Sequence, residues 1–169
     1  KTLAVWMGPI LKWLGENRDR GKWQVKRPPG LRVLWITPLR ALAGDTEASL
    51  RQPLDHLGLP WRLESRTGDS KASARARQLK QLPTALITTP ESLSLMLTHE
   101  NLLGQFRQLE GVIVDEWHEL LGTKRGIQTE LALSRLRKLN PALRTWGLSA
   151  TLGKLDHAHR ALAGPEPAR

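Results

Sequence analysis

The chain has no cysteine, no tyrosine, one phenylalanine and two methionines in 169 residues. Without cysteine there can be no disulfide, no thiolate zinc site and no cysteine nucleophile. Long apolar runs are also missing. A membrane-spanning helix needs about 20 mostly apolar residues, whereas the longest stretch here, Leu3 to Leu11, has nine, contains Pro9 and stops at Lys12. Lys1 followed by that stretch has the outline of a signal peptide, but no small-residue cleavage site follows it. There is no initiator methionine, so the expectation is a chain that starts inside a longer one. Acidic residues are scarce: 16 Asp and Glu face 26 Lys and Arg, for a formal net charge of +10. Such a surface disfavours cationic partners and favours polyanions, nucleic acid first. What is present, 40% apolar residues in a chain of this length, is enough for one domain with its own core.

Apolar spacing predicts a helix over residues 2–15, with Leu3, Trp6, Met7, Ile10, Leu11 and Leu14 on one face and a kink at Pro9. The polar, basic, proline-punctuated segment 16–30 reads as a surface loop. Strands are predicted at 31–36, 61–66, 85–88, 111–114 and 143–148. Helices are predicted from Pro38 to about Leu57 with interruptions at Gly44 and Pro53, then over 70–82, 90–97, 101–106 and 128–139. A short helix and a Gly-Pro-Glu-Pro tail close the chain over 154–169. Short apolar strands alternating with helices predict an α/β fold, a mostly parallel sheet with helices on both faces. In such sheets ligands bind beyond the carboxyl ends of the strands, so the residues there carry the chemistry.

The strand Gly111–Val114 runs into Asp115-Glu116-Trp117-His118. Two adjacent carboxylates at a strand tip suit magnesium-nucleotide chemistry, one holding the ion and one orienting or deprotonating a water. They also suit an ordinary helix N-terminus. Lys1-Thr2 opens an apolar helix as the end of a phosphate-binding P-loop does, without the glycines that would precede it. Thr37-Pro38 and Thr89-Pro90-Glu91 each place a capping threonine before a proline at the first helical position. Thr67-Gly68-Asp69 ends another strand ahead of Lys71, Arg75, Arg77 and Lys80. Capped helix starts expose N–H groups to anions; three on one sheet edge suggest a track for a phosphodiester backbone, though each alone is common capping chemistry. Ser149-Ala150-Thr151 ends the last strand with two hydroxyls.

Taken in order, KT (1–2), TPLRALA (37–43), TGD (67–69), TTPESL (88–93), DEWH (115–118) and SAT (149–151) form a series. It resembles the first RecA-like domain of the superfamily 2 DExH-box helicases, a P-loop NTPase fold. The stretch DEWHELLGTKRGIQTELALSRLR, followed by RTWGLSATLG, is similar to the large helicase-related branch, and most to the ligase-associated DNA-damage-response helicases of bacteria. The resemblance implies an ATP-dependent DNA helicase or translocase with ATP and Mg2+ as cofactors. Lys1 and Thr2 would hold phosphate and Mg2+, Asp115 would ligate the ion, and Glu116 would be the general base. His118 would relay nucleotide state, and Ser149 with Thr151 would couple hydrolysis to strand movement. Thr37, Pro38, Arg40, Thr67, Gly68, Thr89, Pro90 and Glu91 would line a path for single-stranded DNA, with RNA or a hybrid as the alternative strand. Residues 1–153 would be the helicase ATP-binding domain, cut inside motif I, and 154–169 would lead toward a second RecA-like domain supplied in cis. The implied setting is cytoplasmic DNA repair with no membrane, and a ligase or nuclease is the partner that family analogy suggests.

Motif I lacks its glycines, and the second RecA-like domain with its arginine finger is not in these residues. The expectation is that the chain alone neither hydrolyses ATP appreciably nor unwinds. The competing reading is a non-catalytic nucleic-acid-binding module on the same fold. His157 and His159 have no third ligand at helical spacing to make a metal site. Of the seven tryptophans, Trp6, Trp35 and Trp146 fall on core faces. Trp23, beside Lys22, Lys26 and Arg27, is the candidate for a nucleic-acid contact. Lys124-Arg125 suits either a phosphate or a loop cap.

Overall fold

Four-residue strands with apolar side chains on both faces must be covered on both sides, and the intervening helices do this. The computed structural model describes residues 1–23, 27–150, 158 and 160–162. Five strands, β1 (Val33–Ile36), β2 (Leu63–Arg66), β3 (Ala85–Thr88), β4 (Gly111–Val114) and β5 (Arg144–Gly147), form one sheet in the order β2-β3-β1-β4-β5. Every neighbouring pair is parallel, so all carboxyl ends share one edge.

Side-chain alternation sends Val33, Trp35, Ala85, Ile87 and Ile113 to one face. There α1 (Thr2–Glu16) and α2 (Leu42–Leu57) cover them with Trp6, Ile10, Trp13, Leu50 and Leu54. Leu34, Ile36, Leu86, Val112 and Val114 point the other way. They pack beneath α4 (Pro90–Thr98), α5 (Glu100–Phe106), α6 (Trp117–Leu120) and α7 (Lys124–Leu139). Burial of these apolar surfaces, at roughly 25 cal/mol per Å², is what holds short strands of little intrinsic stability in register. The remaining helix, α3 (Ala72–Lys80), joins β2 to β3 and buries only Gln78 fully.

Beyond shifts of one or two residues at element ends, the structure differs from expectation in three places. First, the apolar face of α1 is shifted at its margins: Trp6 and Ile10 are buried and Met7 and Leu14 pack against the core as their spacing suggests, but Leu3 and Leu11 are 53% and 60% exposed while Pro9 and Trp13 are buried. The bulkier stripe, at i, i+3, i+4 and i+7, wins the sheet face, and Trp6 anchors it by donating its indole N–H to the Leu50 carbonyl at 3.0 Å. Second, α2 starts at Leu42, not at Pro38, and runs through Gly44 and Pro53. Thr37 does not cap it; its hydroxyl accepts from the Leu39 amide at 3.4 Å in a tight turn that delays the helix. Third, α7 begins at Lys124, one turn earlier than the apolar spacing suggests, because Thr123 caps it by accepting from the Gly126 amide at 3.1 Å. Of the tail, Ala158 and residues 160–162 are described; the expected Gly-Pro-Glu-Pro end, His157, His159, Thr151 and Lys26 lie outside the described residues.

The strand order reverses direction between β1 and β4. At such a switch point the loops leaving the two strands diverge and open a crevice at the carboxyl edge.

Candidate functional site

Asp115 continues the β4 ladder one step past the strand, its amide donating to the Ile36 carbonyl at 2.8 Å. Both of its carboxylate oxygens are oriented. Oδ2 accepts from the indole N–H of Trp35 at 3.3 Å, and Oδ1 accepts from the Glu116 amide at 3.0 Å. The chain then turns sharply. Glu116 adopts φ 44° and ψ 47°, the one non-glycine residue with positive φ among those described. A side chain in that region costs on the order of 1–3 kcal/mol and persists only where surroundings enforce it. Here the Trp117 amide donates to the Leu148 carbonyl at 2.8 Å, and the Glu119 amide donates to the Glu116 carbonyl at 2.8 Å. The turn thereby presents two successive carboxylates at the crevice.

His118 faces the end of β5. Its Nδ1 lies 3.1 Å from the Ser149 hydroxyl and 3.4 Å from Glu116 Oε2, and its Nε2 lies 3.4 Å from Glu119 Oε1. The imidazole thus bridges the second carboxylate and the β5 terminus. On the other side the Lys1 ammonium donates to the Ser149 carbonyl at 3.0 Å. Lys1, Thr2, Asp115, Glu116, Leu148, Ser149 and Ala150 together line a cleft of about 120 Å³. Residues more than a hundred positions apart in sequence line one cleft. The donor set fits a magnesium ion bound in its usual way, by one or two carboxylates with phosphate oxygens and water completing the shell. Among the described residues no group of three or more His, Asp or Glu gathers into a closed all-protein cage.

The other half of the carboxyl edge, over β2, β3 and β1, is a set of interlocked turns. The Thr88 hydroxyl donates to the Arg66 carbonyl at 2.8 Å, and the Thr37 amide donates to the Thr88 carbonyl at 2.9 Å. Thr89 caps α4 by accepting from the Ser92 amide at 3.4 Å, with Pro90 in the first turn as expected. Thr67 accepts from the Asp69 amide at 3.3 Å. Thr37, Thr67, Thr89, Pro38 and Pro90 are all buried, so they shape the edge and do not project from it. Exposed are Arg40, Gly68 and Asp69. Arg40 crosses the end of β3 to reach Asp69 at 3.6 Å, and its guanidinium lies on bare Gly68, where a Cβ would come within 2.9 Å of Arg40 Cζ.

Glu91 is engaged in a way the sequence did not disclose. It makes a two-pronged ion pair with Arg125 on α7, Nε to Oε1 at 2.5 Å and Nη2 to Oε2 at 3.1 Å. Burial alone would raise the Glu91 carboxyl, but the Arg125 hydrogen bond and charge, its own backbone amide and Thr89 outweigh it and hold it below its ordinary value. Arg125 is therefore a structural link, tying the segment after DEWH to the TTPESL turn. Trp35, expected on a core face, is also the hydrogen-bond donor that aims Asp115; an indole one residue before the strand's last position is the sequence signal for it. Arg66 is 7% exposed behind the Thr67 turn, and burial, with Arg75 nearby, lowers its guanidinium pKa.

A family model described as DEAD/DEAH box helicase matches residues 1–158. The chain belongs to the DEAD/DEAH box helicase family. It is 39% identical to the ATP-dependent helicase Lhr-Core of Methanothermobacter thermautotrophicus over 97% of its own length and 20% of the relative's. To the Lhr helicase/probable uracil glycosylase of Mycolicibacterium smegmatis it is 38% identical, over 99% of this chain and 11% of that protein. The solved structure of the Mycobacterium smegmatis helicase Lhr, bound to ssDNA and AMP-PNP, superimposes with a TM-score of 0.72 at 40% identity, covering 83% of this chain and 19% of that one. The DEAD-box helicase Mss116, at 23% identity and a TM-score of 0.72, shares the fold. This helicase domain is thus an α/β domain of RecA-like architecture, spanning about a fifth or less of the length of these Lhr relatives. No helix among its described residues is long and apolar enough to cross a membrane.

Proposed function

We propose that the chain is the ATP-binding half of an ATP-dependent helicase or translocase that moves on single-stranded DNA. The observation that carries this reading is the cleft shared by Lys1, Thr2, Asp115, Glu116 and Ser149 at the sheet's switch point. In the proposed mechanism the Lys1 ammonium exchanges its Ser149 carbonyl for a nucleotide phosphate. Thr2 and Asp115 are the residues that would hold Mg2+, which would supply charge neutralisation at the phosphates. Glu116, raised into the crevice by its left-handed turn, accepts a proton from the attacking water. His118, between Glu116 and Ser149, senses the state of that carboxylate and passes it to the end of β5 and onward to Thr151.

The strand path follows from the same division of the edge. Arg40 and the exposed Gly68-Asp69 turn meet the backbone, while the buried Thr37, Pro38, Thr67, Thr89 and Pro90 hold the turn amides in place for it. Glu91, paired to Arg125, positions this edge relative to α7. Residues 1–153 form the first RecA-like domain in this reading, and closure against a second one completes the site. The DEWHELLGTKRGIQTELALSRLR stretch supports a finer placement in the ligase-associated repair branch. Steady-state ATP turnover with and without single-stranded DNA tests the reading. The full-length protein should turn over ATP and be stimulated by the strand, and the 169-residue chain alone should show no appreciable turnover. Robust turnover by the isolated chain would refute the requirement for a second domain.

A further inference from the structure

A second cleft, of about 290 Å³, lies at the opposite edge of the sheet, where Arg32 and Pro60 lead into β1 and β2. Strands of four residues rise about 13 Å, so a full strand length separates this cleft from Asp115. Two indoles and three cations dominate its wall: Trp13, Trp23, Lys22, Arg27 and Arg32; among the described residues no carboxylate lines it. The two indole rings sit 5.1 Å apart at 56°, making a V-shaped aromatic corner.

Trp23 is held firmly for a residue on a basic loop. Its indole N–H donates to the Asn17 carbonyl at 2.9 Å. Arg20, which does not line the cleft, packs on the ring at 5.3 Å and braces it. Asp19 caps the single helical turn Arg20–Lys22 by accepting from the Gly21 amide at 3.1 Å. Arg32 is neutralised by Glu16 and Glu110 at 3.2 and 2.7 Å, and Lys22 reaches Asp19 at 3.3 Å in an exposed pair of little strength. Arg27 is exposed and has no ion-pair partner among the described residues. A half-exposed tryptophan in a fixed pose beside an unspent cation is the chemistry that recognises a flat π-system carrying a negative charge. The volume, at the low end of the roughly 300–1,000 Å³ typical of ligand pockets, suits one such unit.

We propose that this cleft binds a nucleobase on the Trp13–Trp23 corner with its phosphate on Arg27 and Lys22, either within a nucleic-acid strand or as a free nucleotide. The site is separate from the carboxyl-edge path and does not depend on the helicase reading. The test is photocrosslinking of the 169-residue chain to an oligonucleotide containing 5-iodouracil, with adducts mapped by mass spectrometry, alongside binding titrations at several salt concentrations. Adducts on Trp23 or Trp13 are expected. Trp23→Ala should weaken the crosslinked binding mode about tenfold, and Trp23→Phe, which keeps a stacking face, should retain most of it. Lys22→Ala with Arg27→Ala, both exposed, should reduce the salt slope by about 1.4, two contacts at ~0.7 each. Excess thymidine monophosphate that removes the adduct assigns the site to a nucleotide, and an adduct that survives it assigns the site to a strand. Adducts confined to the carboxyl edge, or affinity and salt slope unchanged in these variants, would overturn the proposal. A Trp23 adduct without any at Arg40 or Gly68 would leave this proposal standing and count against the helicase strand path.

Discussion

Replacing Gly126 by alanine probes the contact that keeps the Asp115-Glu116 turn in place. Gly126 lies in the first turn of α7, where a Cβ would stand 2.0 Å from the Leu120 carbonyl oxygen and 2.8 Å from its carbon. The obstacle is backbone at the end of α6, the helix that directly follows Glu116, so no side chain can swing aside. The two helices must separate by more than an ångström to restore an ordinary contact of 3.4 Å or longer. Overpacking of this kind costs about 1–3 kcal/mol, and an unyielding carbonyl puts it near the top of that range. Alanine recovers roughly 0.5–1 kcal/mol of helix propensity. The net loss is about 2 kcal/mol, which for a domain of this size lowers Tm by roughly 4–8 °C. Gly104→Ala in α5 is the control: nothing lies within 4 Å of its Cβ position, so it should match or exceed the parent's stability. Thermal and urea unfolding, followed by circular dichroism and tryptophan fluorescence, reads both variants. A Gly126→Ala protein as stable as the parent would refute the close approach of α6 and α7.

Three further outcomes are expected. Trp35→Phe removes the donor to Asp115 Oδ2 from a site 1% exposed, and should cost about 1–3 kcal/mol of unfolding free energy while lowering magnesium-nucleotide affinity; intact affinity would deny Trp35 its orienting role. The Glu91 carboxyl is depressed in the folded state, so its contribution is complete above its unfolded value and is lost as pH falls through the lower folded one. Below roughly pH 4.5, the ordinary value, stability should therefore drop more steeply in the parent than in Arg125→Ala, as measured by urea midpoints across an acid series; parallel curves would disprove the coupling. Arg40→Glu should weaken single-strand binding alike for all sequences and flatten its salt dependence; a sequence-selective loss would contradict a backbone contact.

The parallel sheet was legible because short apolar strands punctuated by Thr-Pro, Thr-Gly-Asp and Asp-Glu leave few other architectures, and β3 and β4 fall on their predicted residues. Periodicity placed Trp6 and Ile10 of α1 on the core face but failed at its margins, where Leu3 and Leu11 stay exposed and Trp13 is buried, because only the sheet decides between flanking positions. It also missed the start of α2, because the Thr37 turn and a true helix cap share the same Thr-Pro residue pattern. Lys1, Asp115, Glu116 and Ser149 each stand at a strand or helix end; the pairing of β4 with β5 brings the last three together, and the packing of α1 adds Lys1. The Glu91–Arg125 pair had no sequence signal, since 34 residues separate partners that meet only when α4 and α7 pack.

The central claim, that the β4 carboxylate turn is the hydrolytic centre of an ATP-driven motor, is tested most directly by Glu116→Gln in the full-length protein. The change keeps the side chain's size and removes its capacity to take a proton. ATP-analogue affinity should be preserved while single-strand-stimulated turnover falls at least about a hundredfold. Unchanged turnover would contradict the account.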